Sequence, residues 1–289
     1  MRIGWHFPAV LLFVSVPAFA DAPERSTATI DYLRHLQTKD GGFVPDATKQ
    51  TPSLRATSAA IRALKYLGGD VPDRAAAERF VLSCHDKSSG GFADSPGGKP
   101  DVVVTAVGAM ALVELKIPTL EFEKGILDYL GKHAQSIEDI RIAAAGVEAL
   151  GKAPEAKTRW LEMVEHERNP DGSFGAKNDA RTNGGTTVIV LRLGGKLTDP
   201  RRVIAALDAN QNEDGGFGKK GANSELESTY RVLRCYHMLK AKPKETRALE
   251  AFIAKCRNAD GGYAVAPGQP STVGATYYAA IIRHWLKEP

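Results

Sequence analysis

Several features are scarce in this sequence, and each scarcity argues against a class of protein. Only three of the 289 residues are cysteines, and Cys84, Cys235 and Cys256 show no CxxC or Cys/His spacing, so nothing points to a cysteine-based zinc site. The formal net charge is +4 and basic residues are interspersed with acidic ones, which argues against nucleic-acid binding. We expect the cysteines to be small core residues, with one disulfide between Cys84 and Cys256 as the alternative.

Long apolar runs are also absent, except near the start of the chain. Arg2 precedes an apolar stretch, Phe7–Ala20, that ends in the small-x-small pattern Ala-Phe-Ala. This pattern predicts a signal peptide over residues 1–20, cleaved before Asp21, because its 14 residues are fewer than the roughly 20 that span a bilayer. The mature protein is therefore predicted to be secreted or periplasmic, without a stable membrane span; an uncleaved tether is the alternative.

One short turn recurs and organises the rest of the chain. Glycine lets the backbone reverse with positive φ, the preceding polar residue can bond its own turn, and the following aromatic residue packs on the core. The copies are Asp40-Gly41-Gly42-Phe43, Ser89-Gly90-Gly91-Phe92, Asp171-Gly172-Ser173-Phe174, Asp214-Gly215-Gly216-Phe217 and Asp260-Gly261-Gly262-Tyr263. Their first glycines are 49, 82, 43 and 46 residues apart, so a copy that has lost its turn is predicted near residues 121–151.

The segments around these turns predict six pairs of helices. The first helices, which are charged and amphipathic, are predicted at about 26–37, 73–84, 121–130, 154–166, 200–210 and 244–256. The second helices, which are rich in Ala, Val, Thr and Gly, are predicted at about 53–67, 102–115, 138–150, 185–193, 225–239 and 272–286. Helices that are apolar on most faces must be surrounded by protein, so the second set is expected inside.

Six such pairs can form an open superhelix or close into a ring. We predict closure, because neither end has a clearly polar cap and the last helix stays strongly apolar to Trp285 and Leu286. The predicted fold is all-α: an α6/α6 toroid, a closed double barrel of six helical hairpins over residues 21–289.

A threonine follows each recognisable turn by 14 to 16 residues, near the start of the second helix. These threonines are Thr57, Thr105, Thr187, Thr229 and Thr276. We expect their hydroxyls to satisfy free amide donors near the helix start or to bond a carbonyl, with ligand binding as the alternative. The N-termini of the inner helices are all expected at one end of the barrel, where their dipoles favour an anion.

The repeat is similar to that of protein prenyltransferase β subunits and of squalene or oxidosqualene cyclases. The resemblance lies in the Asp-Gly-Gly-Phe turn, in a Pro/Gly-containing loop such as Ser95–Gly98 or Ala266–Gly268, and in the Thr/Tyr/Ala/Leu helix that follows. It covers nearly the whole mature chain. It implies an α/α-toroid with a central apolar cavity suited to an isoprenoid, and a diphosphate or reacting group near the N-termini of the inner helices.

The reactive motifs of these families are not retained. Prenyltransferases hold a zinc ion that keeps a substrate thiol nucleophilic. By the resemblance, the three zinc-ligand positions fall on Glu227, Thr229 and Ala275 of this chain, and only Glu227 can bind a metal. The Asp-x-Asp-Asp cluster of the cyclases and the Cys-Gly-Glu-Gln motif of the thioester toroids are both absent. No cofactor is therefore expected; zinc is expected only if the chain is a divergent transferase.

Polar and aromatic residues remain near the predicted open end of the barrel. We expect ligand binding by Arg55, Asp101, Arg141, Tyr230, Arg231, Tyr277 and Tyr278. Glu225 and Glu227 are the candidates for acid/base or metal chemistry, because residues two apart at a helix start can both project toward a ligand. The simpler interpretation is that they are helix N-terminal acids favoured by the dipole.

The leading functional hypothesis is an exported toroid that binds an apolar or extended ligand, or a protein segment, in its central cavity without zinc-dependent catalysis. A first alternative is a divergent geranylgeranyl- or farnesyltransferase-like enzyme. A second is a carbohydrate-active toroid that uses Glu225, Glu227 or Asp139. A third is a structural interaction domain whose outer groove or turn loops hold a partner. No nucleic-acid partner is expected.

Overall fold

The computed structural model describes residues 23–176, 178–219 and 221–288, and the predicted signal peptide over residues 1–20 lies outside them. The described residues form twelve α-helices in six consecutive pairs, as predicted. The first helices of the pairs are α1 (Pro23–His35), α3 (Arg74–Ser83), α5 (Leu120–His133), α7 (Lys157–His166), α9 (Pro200–Asp208) and α11 (Thr246–Lys255). The second helices are α2 (Leu54–Leu67), α4 (Val102–Glu114), α6 (Ile137–Leu150), α8 (Ala180–Arg192), α10 (Leu226–Met238) and α12 (Val273–Lys287).

The second helices form a closed inner ring. Each of them contacts the inner helix before it and the inner helix after it, and α12 contacts α2, which completes the circle. The outer layer closes at the same seam, because the Thr29 hydroxyl of α1 donates a hydrogen bond of 2.8 Å to the carbonyl of Gly261 in the last turn. The predicted α6/α6 toroid is confirmed, and the open superhelix is not what the chain forms.

Small residues explain why the second helices are inside. In α4 nearly the whole run Val102–Leu112 is buried, whereas α9 in the outer layer buries only Val203 and Leu207. Inner helices also approach closely where a side chain is missing: a Cβ on Gly146 of α6 would lie 2.8 Å from Cα of Ala106 in α4. Although the inner helices are apolar, no helix within the described residues has the length and apolarity of a membrane span.

Glycine is required where four of the five turns pack on the next outer helix; the exception is Gly172, where an added Cβ would meet nothing within 4 Å. Gly215 has φ of +83°, and a Cβ there would overlap the backbone of Ala248 and Leu249 in α11. The same overlap, with α1, would occur at Gly261. These turns therefore attach successive hairpins to one another, and the aromatic residue that follows, Phe217 in the fifth repeat, is fully buried.

The threonines that follow the turns connect each turn to its own inner helix. The backbone N–H of Phe217 donates to the Thr229 hydroxyl at 3.0 Å, and three further repeats make the same bond at 2.9 to 3.0 Å. The hydroxyls of Thr57 and Thr276 also donate to the carbonyl four residues earlier. The expectation that these threonines satisfy backbone groups is confirmed for four of the five, although the amide belongs to the turn and not to the helix start.

Thr187 was the wrong residue for the fourth repeat. Its hydroxyl is buried without a hydrogen-bond partner in the described part of the chain, and the amide of Phe174 instead donates to Oδ1 of Asn183 at 3.1 Å. The reason is that α8 begins at Ala180, earlier than the predicted 185, because the Asp179 side chain caps it by accepting from the N–H of Thr182. In the fourth repeat, Asn183 therefore takes the place of the threonine that accepts from the turn amide in the other repeats.

Thr229→Val is expected to destabilise the protein by about 2 kcal/mol, because the nearly isosteric change leaves the buried Phe217 amide without its acceptor. Thr187→Val is the matched control and is expected to be neutral or slightly stabilising, since it removes a buried hydroxyl that bonds nothing described. Urea unfolding followed by circular dichroism measures both. Equal losses in the two variants would contradict the assigned register.

The third repeat lacks the glycine turn, as predicted. Helix α5 ends at His133 and α6 begins at Ile137, so the connection is only three residues long. A capping box replaces the turn: Ser136 accepts from the N–H of Asp139, whose carboxylate accepts from the Ser136 N–H. Asp139 therefore has a structural role at this helix start.

The three cysteines are free and buried, which confirms their prediction as core residues. The alternative disulfide between Cys84 and Cys256 is not formed. Burial raises the pKa of the thiols of Cys84, Cys235 and Cys256 to about 12. They are accordingly protonated and poorly nucleophilic at neutral pH.

Candidate functional site

A cavity of about 550 Å³ lies inside the ring, with side chains of all six inner helices in its wall. One part of the wall is aliphatic and comes from α2, α4 and α6. We call it the aliphatic wall; it consists of Ala56, Ala59, Val103, Val107, Met110, Val113, Ile142, Ala145 and Ala149. The rest is mostly polar and aromatic, so the central cavity that the family resemblance implies is apolar on one side only.

Ion pairs surround the end of the cavity at which the inner helices begin. We call this set the entrance ring; it consists of Arg55, Arg141, Arg181 and Arg231 with Asp94, Asp101, Glu138 and Glu227. Arg55 bonds Asp94 at 3.1 Å and Asp101 at 2.8 Å, and its side chain is 47% exposed. Because every arginine of the ring has a carboxylate partner, the ring neutralises itself.

Arg231 is the buried member of the entrance ring. Its side chain is only 9% exposed and lies between two carboxylates, at 2.6 Å from Glu227 and 2.8 Å from Glu138. Burial alone would raise the pKa of Glu227, but the charges and hydrogen bonds of Arg231 and Arg181 outweigh burial and lower the pKa below its usual value. Glu227 is therefore ionised and already partnered, which does not suit a general acid.

A second group of cations lies farther along the inner helices. We call it the inner arginine cluster; it consists of Arg62 of α2, Arg192 of α8 and Arg234 of α10. Arg192 bonds the carboxylate of Glu148 at 2.9 Å, and its own side chain is 6% exposed. Tyr66, Tyr230 and Tyr277 share this region of the wall.

Two members of the inner arginine cluster have no carboxylate partner within the described residues. Arg62 donates to the Tyr277 hydroxyl at 3.0 Å, and its guanidinium carbon lies 4.2 Å from the centre of the Tyr277 ring. Arg234 lies over the ring of Trp285, at 4.4 Å from its centre, and its Nε is buried without a hydrogen-bond acceptor in the described structure. Aromatic faces attract these cations but do not neutralise them.

The cluster changes the acidity of Tyr230. Burial raises the pKa of this phenol, but the charges of Arg234, Arg192 and Arg62 and a hydrogen bond with Tyr277 outweigh burial and lower the pKa to about 7. For Tyr277, burial is the main cause that raises the pKa of the hydroxyl well above its usual value. The two phenols are therefore shifted in opposite directions, and Tyr230 is the more acidic member of the pair.

Tyr230 is expected to make stability depend on pH. Since its pKa is about 7 in the folded protein and near 10 when unfolded, ionisation favours the folded state, and this contribution grows as pH rises above 7. The difference in melting temperature between wild type and Tyr230→Phe should shift in favour of wild type from pH 7 to pH 9. Both proteins contain the same three cysteines, so any effect of thiol ionisation on the melting temperature cancels in the difference.

The phenolate absorbance of Tyr230 gives an independent readout, because the other tyrosines of the cavity have a raised pKa. A difference between wild type and Tyr230→Phe that is constant from pH 6 to pH 9 would contradict the assignment. The charged or titratable groups that share the cavity wall with Tyr230 are Arg55, Arg62, Tyr66, Asp94, Glu114, Arg141, Glu148, Arg192, Glu227, Arg231, Arg234, Tyr277 and Tyr278.

The structure brings together most of the side chains expected to bind a ligand. Those that line the cavity are Arg55, Arg141, Tyr230, Arg231, Tyr277 and Tyr278. Asp101 does not line it: one carboxylate oxygen caps α4 through the N–H of Val104 and the other bonds Arg55. Glu225 is also outside the lining, because its carboxylate accepts from the Ser228 hydroxyl at 2.6 Å. Glu227 lines the cavity and Glu225 does not, so the two carboxylates do not project into it together.

The zinc positions of the resembling enzymes do not fit a metal in this chain. Glu227 is held in two ion pairs, the Thr229 hydroxyl bonds the Phe217 turn, and Ala275 offers only a methyl group. Across the described ranges, no group of three or more His, Cys, Asp or Glu side chains is arranged to hold a metal ion. We therefore derive no chemistry through zinc at these residues.

Sequence reasoning missed the inner arginine cluster, although a signal for it existed. Arg62 and Arg234 each lie five residues after the threonine that bonds the turn, Thr57 and Thr229 respectively. Five residues rotate a helix position by about 140° net, which in α2, α4 and α10 turns that position away from the Gly-Gly turn and into the cavity wall. Reading the repeats in this register would have found both arginines.

The comparisons with known proteins agree on the fold. The model of the family described as prenyltransferase alpha-alpha toroid domain matches residues 11–75, 69–141 and 120–287. Candida albicans protein geranylgeranyltransferase-I, complexed with GGPP, matches with a TM-score of 0.65 and 12% identity over 81% of this chain and 84% of that chain.

Two other solved structures are similar to the chain. The apo type II terpene cyclase MstE from Scytonema has a TM-score of 0.61 and 13% identity over 91% of this chain and 96% of that chain. A glycosidase in complex with glucose has a TM-score of 0.60 and 14% identity over 92% and 97%. No curated protein matches in sequence. At these identities the likeness shows the shared fold alone.

Proposed function

Because the chain belongs to the prenyltransferase α/α-toroid family, we propose that its central cavity binds a ligand with an apolar body and that the protein does not catalyse zinc-dependent prenyl transfer. The observation that carries the proposal is the cavity itself, about 550 Å³ inside the ring with an aliphatic wall on α2, α4 and α6. Its size lies in the range of about 300 to 1,000 Å³ that is typical of small-molecule sites.

The chemistry of the metal positions supports the second half of the proposal. A thiolate nucleophile is stabilised by direct coordination to zinc, which needs several soft or imidazole ligands. This chain has a paired carboxylate, a hydroxyl committed to a turn and a methyl group at those positions. Similarity to a geranylgeranyltransferase is thus a likeness of scaffold, and a related ligand is proposed without the related reaction.

We also propose that the protein acts outside the cytoplasm. The support is the sequence pattern of residues 1–20, with an early arginine, an apolar stretch and a small-x-small end. Prenyl diphosphates and acceptor proteins are expected inside the cell, so export and the loss of zinc ligands favour the same interpretation. Cell fractionation and N-terminal sequencing of the mature protein test it, with Asp21 as the expected first residue.

Cavity binding is tested with farnesol, an uncharged isoprenoid, by isothermal titration. Ala145 lines the cavity, so Ala145→Trp should fill it and weaken farnesol binding by about tenfold or more. Ala205→Trp is the matched control, because Ala205 is exposed on the outer helix α9 and its replacement should leave binding unchanged. Equal effects of both substitutions would refute binding in the cavity.

Transferase activity is tested with labelled farnesyl or geranylgeranyl diphosphate, zinc and a peptide acceptor with a C-terminal cysteine motif. We expect no label in the acceptor and no stoichiometric zinc in the purified protein by elemental analysis. Label that depends on added zinc would overturn the non-transferase part of the proposal and favour a divergent transferase.

A further inference from the structure

We infer that the cavity recognises an acidic ligand, and that the inner arginine cluster binds its carboxylate or phosphate headgroup while the apolar body lies along the aliphatic wall. The inference rests on the proposed ligand binding and adds the charge and orientation of the ligand. It places the headgroup away from the N-termini of the inner helices, where the family resemblance places a diphosphate.

The first support is the charge balance of the inner arginine cluster. Three guanidinium groups meet one carboxylate, that of Glu148, which is bonded to Arg192. The carboxylate of Glu114 also lines the cavity but pairs with Lys65 at 2.7 Å. Arg62 and Arg234 are thus left without a carboxylate in the described structure. Partly buried cations without a counter-charge are unfavourable, so a bound anion would relieve that cost.

The second support is the unused hydrogen-bonding capacity of these arginines. The Nε–H of Arg234 is buried and has no acceptor among the described residues, and Arg62 donates only to uncharged groups. A guanidinium group presents a planar fork of donors that matches the two oxygens of a carboxylate or phosphate.

The third support comes from the other end of the cavity. Every arginine of the entrance ring is bonded to carboxylates, so none of these four cations is free for a ligand. In five of the inner helices, α2, α4, α6, α8 and α12, one first-turn amide is also already bonded to a capping side chain. Arg62 and Arg234 are therefore the only arginines of the described cavity wall that have no carboxylate partner.

The lowered pKa of Tyr230 agrees with this charge distribution. A phenol in a buried site loses its proton near pH 7 only where the local potential is strongly positive, and the three arginines supply that potential. The phenolate is a partial substitute for an external anion. A ligand that carries its own negative charge would therefore compete with ionisation of Tyr230.

The experiment compares ligands that share one body and differ in the headgroup. Binding of farnesol, farnesoic acid, farnesyl monophosphate and inorganic phosphate to the purified protein is measured by isothermal titration at pH 6.5. We expect at least one of the two acids to bind about tenfold or more tightly than the alcohol. The carboxylate and phosphate arms identify which headgroup is preferred, and inorganic phosphate tests whether the apolar body is needed.

Variants locate the headgroup. Arg234→Met keeps the bulk of the side chain over Trp285 and should lower affinity for the acid about tenfold or more, with farnesol affinity within about twofold of wild type. Arg55→Met removes an arginine that is already paired at the entrance ring, and should leave acid binding within about twofold. Without ligand and at pH 6, where Tyr230 is mostly protonated, Arg234→Met should melt at the same temperature as wild type or higher, because it removes a charge that has no carboxylate partner.

Arg62→Met is the second variant and should produce the same selective loss, so the test stands even if Arg234→Met does not fold. Acids that bind no better than farnesol would overturn this inference and leave the proposed function intact. A loss of acid affinity in Arg55→Met but not in the other two variants would also overturn it, by placing the headgroup at the entrance ring. If neither alcohol nor acid binds, the proposed function and this inference both fail.

Discussion

Gly261→Ala is expected to destabilise the protein by at least about 4 kcal/mol, enough to unfold a protein of ordinary stability at 37 °C. Gly261 has φ of +89°, and a Cβ there would overlap the carbonyl group of Ala28 in α1. The obstacle is helix backbone, which cannot rotate away like the end of a side chain. Relief therefore requires the last turn and the first helix to separate, which breaks the seam of the ring.

The control for this variant lies in the same repeat. Gly268 has φ of +80°, but a Cβ added there would have no neighbouring atom within 4 Å, so Gly268→Ala isolates the backbone strain and should cost about 1 kcal/mol. Urea denaturation followed by circular dichroism compares the two with wild type. Similar small losses in both variants would mean that α1 and the last turn are not packed as described.

Arg231→Met is expected to destabilise the protein by about 2 to 3 kcal/mol. Arg231 is nearly buried between Glu227 and Glu138, so its loss leaves two acidic groups with fewer partners in a partly buried site. The expected loss is at the low end for buried ion pairs because Glu138 is 62% exposed and can be hydrated. The expected loss of unfolding free energy depends on how deeply the arginine is buried, and not on how many carboxylates it bonds.

Arg55→Met provides the matched comparison within the entrance ring. Arg55 also bonds two carboxylates, at 2.8 and 3.1 Å, but its side chain is 47% exposed. Exposed ion pairs contribute little, so the variant should lose less than about 1 kcal/mol. Thermal unfolding in low and high salt measures both variants, and salt should weaken the Arg55 contribution more. A larger loss for Arg55→Met than for Arg231→Met would refute this ranking.

The fold was predictable because most repeats contain a glycine turn that marks where the first helix ends and the second helix follows. A Gly-Gly turn needs positive φ, and a helix rich in Ala, Val and Gly must be inside, so the turns and helix composition indicate six hairpins and two layers. The fourth repeat shows where this reasoning fails. Thr187 matched the spacing, but the cap at Asp179 starts α8 earlier and moves the register to Asn183. The spacing of residues alone does not predict which polar side chain caps a helix, and therefore does not fix where the helix begins.

The site was less predictable, because its character depends on which charges are paired. Arg55, Arg231 and Glu227 line the cavity, and each of them is held in an ion pair that the sequence does not reveal. In the sequence, Arg62 and Arg234 resemble ordinary charged residues on the surfaces of their helices. Only the three-dimensional arrangement shows that the described residues bring no carboxylate to either of them.

Closure of the inner ring through α2 and α12 makes every repeat an interior repeat. In an open array, terminal units fray first and can be trimmed with a modest loss. In this closed ring, deletion of one hairpin would leave five hairpins whose packing angles suit a ring of six, so the ring could not close. We therefore expect denaturation to be a single cooperative event. We also expect circular permutation, in which the two termini are joined and the chain is cut elsewhere, to preserve the fold.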